Sequence, residues 1–247
     1  AQKVALPKDD TGRVTPEQRE AMKHVWAEAA KSAELQRKQE AEAAATRALK
    51  AWARLQPDGA SPYLQRKGVL GYGLKFTQHG TAVVPLTDTT GKIHGLQFLR
   101  SAAQAQEAKR PSKEFWPAGL AKKGHFHLLG HTPHWIVLVA EGYATAASLH
   151  ASTGYPVACA FDAGNLQPVA EALRKRYKRA KILVCADDDC WTEGNPGITA
   201  ASTAAMAVAG EWMRPVFADE DGRQARHAAN GAKATDFNDL HALEGLP

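Results

Sequence analysis

The sequence predicts an α/β chain: a parallel sheet with helices on both faces over residues 135–247, preceded by a mixed α+β segment at 61–134 and a long helical segment at 1–60. Three observations carry that reading. Beyond Trp135, short apolar runs alternate with helical stretches, as crossover connections between parallel strands require. Between Ser61 and Gly130 the texture is β-prone runs broken by turns. Before Ser61, a stretch rich in Ala, Glu, Lys, Gln and Arg runs without a breaker.

The first element starts at Thr15-Pro16-Glu17-Gln18, where Thr15 can cap, Pro16 suits the first helical position and Gln18 completes a capping box. It continues to about Leu55, ahead of Pro57-Asp58-Gly59, as one long helix or two. Apolar residues gather at its ends (Met22, Val25 and Trp26, then Leu49, Trp52 and Leu55), which predicts packing at both ends and a solvated middle. Contact with nucleic acid or with another domain is open, with a plain structural arm preferred. In the next segment TAVVPL and KIHGLQFL flank the turn-rich TDTTG and predict a hairpin. After it, basic residues interleave with Phe115, Trp116 and Phe126, a texture that suits phosphate contacts and base stacking and equally suits a surface loop pinned by its aromatics. In the last segment WIVLVA, PVACAF, KILVCA and RPVFA are the predicted strands. EGYATAASLHAS, LQPVAEALRKRYKR and GITAASTAAMAVAGEW are the predicted helices.

The bulk properties bound the function. With 247 residues, 44% of them hydrophobic, the chain can bury a proper core in one or two domains. A formal charge of +5 and a pI near 9.1 fit a phosphate-bearing partner without demanding one. The three cysteines, Cys159, Cys185 and Cys190, form no CxxC pair, and the first two sit in apolar strand-like runs, so a reduced, cytoplasmic setting is expected. No apolar run approaches the roughly 20 residues a membrane helix needs, so no membrane partner is expected. AQKVALPKDD lacks the apolar core of a signal peptide.

In open parallel sheets ligands bind at the carboxyl ends of the strands, and the acids fall there. Glu141 directly follows WIVLVA, Asp162 follows PVACAF, and Asp187, Asp188 and Asp189 follow KILVCA. Asp236 and Asp239 come later, in TDFNDL. Residues leaving a strand point alternately to opposite sides, so Asp187 and Asp189 share a side while Asp188 faces away. Those two with Glu141 form an acidic pocket, whose crowding raises carboxylate pKa values unless a cation neutralises it. Oxygen-rich sites of this kind suit Mg²⁺ or Mn²⁺ and in-line phosphoryl transfer. For Asp162 alone, helix capping is the preferred reading.

Glu141-Gly142 after one apolar strand and Asp187-x-Asp189 after another resemble the Toprim domain, shared by bacterial primases of the DnaG type, type IA and type II topoisomerases and certain nucleases. The resemblance runs from about Trp135 to the C-terminus. It implies a Toprim-like sheet in which Glu141 acts in acid/base chemistry at a 3′-hydroxyl or helps hold a metal, and Asp187 and Asp189 bind divalent ions. The late Asp236 is an auxiliary metal candidate. Upstream, VVPLTDTTGKIHGLQFLR, SKEFWPAG and GHFHLLG are similar to the region that precedes Toprim in primases, and SPYLQRKGV to a segment near the start of that region in plasmid and phage primases. There the family carries basic residues for template and nucleotide; Lys113 matches best, with Arg100, Lys122 and Lys123 looser. The implied function is a DNA primase core acting on single-stranded DNA and nucleoside triphosphates with Mg²⁺ or Mn²⁺, with a replicative helicase, fused or separate, as a further partner.

The chain departs from the family in the longer, less basic CWTEGNPGITAA after Asp189. No cysteine precedes Cys159 to build a zinc-binding module, and no Walker loop suggests ATP hydrolysis. These departures leave open an excised core of a larger replication protein or a primase that reads templates differently. Two competing functions remain: a metal-dependent Toprim nuclease, and a non-enzymatic DNA-binding or assembly module. His125, His127, His131 and His134 lie close in sequence, but no cysteine or carboxylate completes a zinc set. RKRYKRAK, at 174–181, reads as a solvated helix end before it reads as a phosphate contact.

Overall fold

The computed structural model describes residues 16–246, so the expected caps at Thr15 and the segment AQKVALPKDD lie outside the described residues. Helix α1 (Pro16–Trp52) is one continuous helix of 37 residues. Its last turns pack against the rest of the molecule, where Ala44, Ala45 and Ala48 are buried. The expected packing of both apolar ends fails at the first: Val25 and Trp26 are 66% and 64% exposed, and Leu49 also faces solvent. The contact is made by small side chains because the helix lies close against a sheet, where Ala48 meets Val83 and Leu96.

That sheet is antiparallel, in the order β1 (Lys75–Phe76), β2 (Ala82–Thr87), β3 (Ile93–Leu99) and β4 (Lys113–Trp116). The expected hairpin is β2–β3, closed at Asp88, whose carboxylate accepts from the Thr90 and Lys92 amides. Helix α2 (Pro62–Lys67) precedes β1, and α3 (Ala102–Ala108), entered through a complete capping box of Ser101 and Gln104, joins β3 to β4. Alternation sorts the side chains. Val83, Leu96, Phe98 and Trp116 face α1, while Ala82, Val84, Leu86, Leu99 and Phe115 face the second half of the chain.

The second sheet has the order β5 (His127–Leu129), β7 (Val157–Cys159), β6 (Ile136–Ala140), β8 (Lys181–Cys185) and β9 (Glu211–Met213). β7, β6, β8 and β9 are parallel, as expected, and β5 is an antiparallel edge. β5 precedes residue 135 yet belongs to this sheet, so the sheet reaches across the expected boundary. Helices α5 (Leu166–Arg176) and α6 (Pro196–Ala207) pack on one face around Val137, Val139, Ile182 and Val184. Helices α4 (Tyr143–Thr153) and α8 (Phe237–Glu244) cover the other, together with the first sheet. Helix α7 (Glu220–Asn230) lies between β9 and α8 in the chain.

The fourth parallel strand is EWM rather than the expected RPVFA. Helix α6 stops at Ala207, Ala209 and Gly210 turn the chain, and pairing with β8 is complete by Met213. All three β9 residues are exposed, so this edge strand carries none of the apolar signal that drew attention to RPVFA. The two sheets are joined where Thr87 and Phe126 exchange backbone hydrogen bonds of 2.8 and 2.9 Å. Among the described residues, no helix is long and apolar enough to cross a membrane.

Candidate active site

Parallel pairing of β6 with β8 sets Ala140 opposite Cys185. Glu141 therefore leaves its strand level with Ala186, and the Asp187–Asp189 loop rises beside it. The loop is shaped by Asn195-Pro196-Gly197 at the start of α6. Asn195 Nδ2 donates to Asp188 Oδ1 at 2.8 Å, and the Gly197 amide donates to Asp189 Oδ2 at 3.1 Å. A Cβ at Gly197 would stand 2.2 Å from the Asp187 carbonyl oxygen, so only glycine lets α6 begin this close to the loop. Asp236 caps α8, its Oδ1 accepting from the Asn238 and Asp239 amides at 2.7 and 2.8 Å. Asn238 is buried and donates through Nδ2 to the Lys67 carbonyl and to Ser148 Oγ on α4, the helix that follows Glu141.

The expected acids share one electrostatic neighbourhood. Burial, then the charges of Asp236, Glu141 and Asp189, push the Asp187 carboxyl up to about 8. Burial and then Asp189 raise Glu141. Burial and then Asp239 raise Asp236, with Lys67 opposing. Lys113, exposed on β4, is the cation that offsets Glu141 and Asp187, so the first sheet brings a positive charge to the acids of the second.

Asp187 Oδ1 is buried without a hydrogen-bond partner. An orphaned carboxylate oxygen among three other acids fits a divalent cation, which would supply the missing positive charge. Among the described residues, no group of three or more His, Cys, Asp or Glu side chains is placed to hold a metal ion by itself. Mg²⁺ seldom needs such a group, since it usually takes one or two protein carboxylates and completes its shell with water and substrate phosphates.

The other expected residues divide. Lys122 pairs with Asp162 and lies 5.2 Å from the Phe115 ring centroid, at the rim of the acidic group. This corrects the capping role expected of Asp162, whose side chain makes no cap bond. Lys123 is exposed beside it. Arg100 is turned elsewhere: on the α1 side of the first sheet it pairs with Glu114 at 2.8 Å and lies over Phe98, because strand alternation opposes it to the face that carries Lys113. The four histidines do not converge. His127 is buried against the Tyr72 carbonyl at 2.7 Å, and the His125 ring lies tilted against His94 with centroids 3.9 Å apart. Arg174 is consumed by carbonyls of Val208, Lys178 and Ala180, while Lys175, Arg176, Lys178 and Arg179 face solvent.

Asp188 faces away from the acids, as alternation requires, and its surroundings had no sequence signal. Arg214, at the end of β9, and Arg223, on α7, both reach its Oδ2, at 2.9 and 3.4 Å. Neither arginine stands in a motif; they meet Asp188 only because β9 and α7 fold over the loop.

Together the sheet order and the acids at the ends of β6 and β8 define a Toprim-type unit, and residues 136–246 match the family model of the Toprim domain. The chain is 33% identical over 196 residues to a DNA primase TraC of Escherichia coli, and 34% identical over 186 residues to a second DNA primase TraC of that organism. The first alignment covers 75% of this chain and the second 72%, yet the chain spans only 18% and 12% of the length of those relatives. In fold it is similar to the crystal structure of the Aquifex aeolicus primase (zinc-binding and RNA polymerase domains), with a TM-score of 0.51, 16% identity, and coverage of 85% of this chain and 59% of that one.

Proposed function

We propose that the chain is the catalytic core of a DNA primase, joining nucleoside triphosphates on a single-stranded DNA template with release of pyrophosphate. The observation that carries this reading is the orphaned Asp187 oxygen among Glu141, Asp189 and Asp236, with Lys113 beside them. Its setting is a chain about one-third identical to DNA primases over most of its length.

In this reading Asp187, Asp189 and Asp236 would supply carboxylates to Mg²⁺ or Mn²⁺, one or two to an ion, and a bound ion would stabilise charge on the transferring phosphoryl group. Glu141, its carboxyl raised by burial and by Asp189, accepts the proton of the attacking 3′-hydroxyl. Lys113 offers its ammonium to a triphosphate or template phosphate entering beside the acids, and Lys122 and Lys123 line the same approach. Residues 135–247, joined by the edge strand β5, form the catalytic domain, and the rest of 61–134 presents the basic side. A replicative helicase, fused or separate, is the partner that such a core would serve.

The test is synthesis on single-stranded DNA with labelled nucleotides and Mg²⁺ or Mn²⁺. The wild-type chain is expected to make short oligomers, and Asp187→Ala to lose at least 100-fold in rate with an unchanged circular dichroism spectrum. Equal synthesis by the variant would overturn the site. Cleavage of the DNA without synthesis would favour a Toprim nuclease, and neither reaction a binding or assembly module.

A further inference from the structure

Three of the acids, Asp187, Asp189 and Asp236, come from two stretches of chain far apart in sequence: the loop after β8 and the segment that enters α8. Something must hold them in register. A direct backbone link between them is the Asp188 amide donating to the Thr235 carbonyl at 2.7 Å. Around that link sits Arg223, 3% exposed. Its Nε donates to the Ala234 carbonyl at 2.8 Å, on the segment leading to Asp236. Its Nη2 reaches Cys190 Sγ at 3.0 Å and Asp188 Oδ2 at 3.4 Å, on the loop that carries Asp187 and Asp189. Its Nη1 is held by Glu220 at 3.0 Å. The guanidinium plane is fixed from the sides by Phe217 and Trp191, whose ring centroids lie 4.4 and 5.5 Å away, and Trp191 is in turn stacked on His227 at 3.9 Å.

We propose that Arg223 is a positioning residue for the acidic site, a buried bridge that fixes the Asp187–Asp189 loop against the Ala234–Asp236 segment. It touches none of the acids that face the substrate side; it acts through Asp188, Cys190 and Ala234. Only a planar fork with donors pointing in several directions can bond both stretches at once, and a lysine ammonium has neither the shape nor the reach. Asp188 thus has a role distinct from its neighbours: it anchors the loop from behind while Asp187 and Asp189 face the reacting groups. Arg214 bonds the same oxygen from a half-exposed position but makes no bond to the Ala234 segment, so it cannot replace the bridge.

The inference rests on the reading of the acids as a divalent-cation site, and direct metal binding separates the two. Mn²⁺ affinity of the full chain would be measured by electron paramagnetic resonance, without substrate, for wild type, Asp187→Ala, Arg223→Lys and Arg223→Ala, with a thermal melt of each. Loss of a partner that orients metal ligands typically weakens metal affinity about 10- to 100-fold. The expected result is a loss in that range for both Arg223 variants, a cooperative melt retained, and recovery of affinity in Arg223→Ala on adding millimolar guanidinium. Guanidinium should not rescue Asp187→Ala. Arg223→Lys binding within twofold of wild type would overturn the bridge, as would a loss that merely follows the unfolded fraction in the melt. A wild-type chain that binds no Mn²⁺ would overturn the cation-site reading and the bridge with it.

Discussion

Asp187 keeps one carboxylate oxygen buried and unpaired, with Glu141, Asp189 and Asp236 close enough to raise its affinity for a proton. Its folded pKa, about 8, lies above the ordinary 3.8, so the metal-free native chain binds that proton more tightly than the unfolded chain does. The sign follows from linkage: where the native state binds more protons, stability falls as pH rises. The contribution of this proton is fully present below about pH 4 and is lost as pH climbs through about 8. A bound divalent cation replaces it, so metal affinity should rise over the same window. Replacing Asp187 by asparagine removes the titrating charge while keeping the shape. Asp187→Asn should therefore stabilise the metal-free chain at pH 8 by about 2 kcal/mol, the order of the cost of a poorly compensated buried polar group. For a chain of this size that is a rise of about 4–8 °C in Tm. Thermal melts at pH 5 and pH 8, with and without Mn²⁺, would check it, and a variant melting no higher than wild type at pH 8 without metal would refute it.

At the scale of elements, α1 is two things in one helix. Its last turns are part of the fold, with Ala48 against Val83 and Leu96, Lys92 reaching back to Glu42 at 2.8 Å, and Arg47 donating to the Ala118 carbonyl at 3.0 Å. Its first six turns rest on intrinsic propensity and on pairs such as Lys38 with Glu34 at 2.7 Å, each worth a few tenths of a kcal/mol. Replacing Val25 and Trp26 together by alanine should therefore change stability by no more than about 0.5 kcal/mol. Urea unfolding of the double variant would show it, and a loss of several kcal/mol would mean that these side chains pack against the core after all. The helix was legible because no breaker interrupts it. Which end packs was not, because Met22, Val25 and Trp26 are the more apolar set, whereas the working face is alanine, whose burial depends on how closely a sheet approaches. The acids were legible for a different reason. A ligand site at parallel strand ends follows from topology, so Glu141, Asp187 and Asp189 could be placed once the strands were found. Arg100 lies on the face opposite Lys113, and the turn after β3 does not announce which face of the sheet it serves. Arg223 was invisible because its partners are assembled from three separate stretches.

At the scale of the whole molecule, the basic side and the acidic side share one core. Val84, Leu86 and Leu99 of the first sheet pack in the same cluster as Leu138, Ala140 and Cys185 of the second and Tyr143 of α4. Tyr143 accepts from the Tyr72 amide at 2.7 Å and donates to the Leu70 carbonyl at 2.9 Å, so the helix following Glu141 is bonded to the stretch leading into β1. A seam built this way cannot open without exposing apolar surface and stranding polar groups on both sides. The position of Lys113 against Glu141 is thus a property of the joint core and not of either sheet alone. Truncating Leu86, which is fully buried one residue before the Thr87–Phe126 junction, tests that coupling. Leu86→Ala should cost about 2–5 kcal/mol, the range for a buried leucine whose site cannot collapse. The loss should appear as one transition at a lower denaturant midpoint. Far-ultraviolet circular dichroism reports both sheets, whereas the fluorescence of Trp116 alone, with the other tryptophans replaced by phenylalanine, reports the first. If the two signals unfold at the same midpoint in wild type and in Leu86→Ala, the sheets fold as a unit and the charge geometry of the site is fixed by that unit. A first sheet melting at lower denaturant than the second would mean that Lys113 can leave the acids while they remain folded.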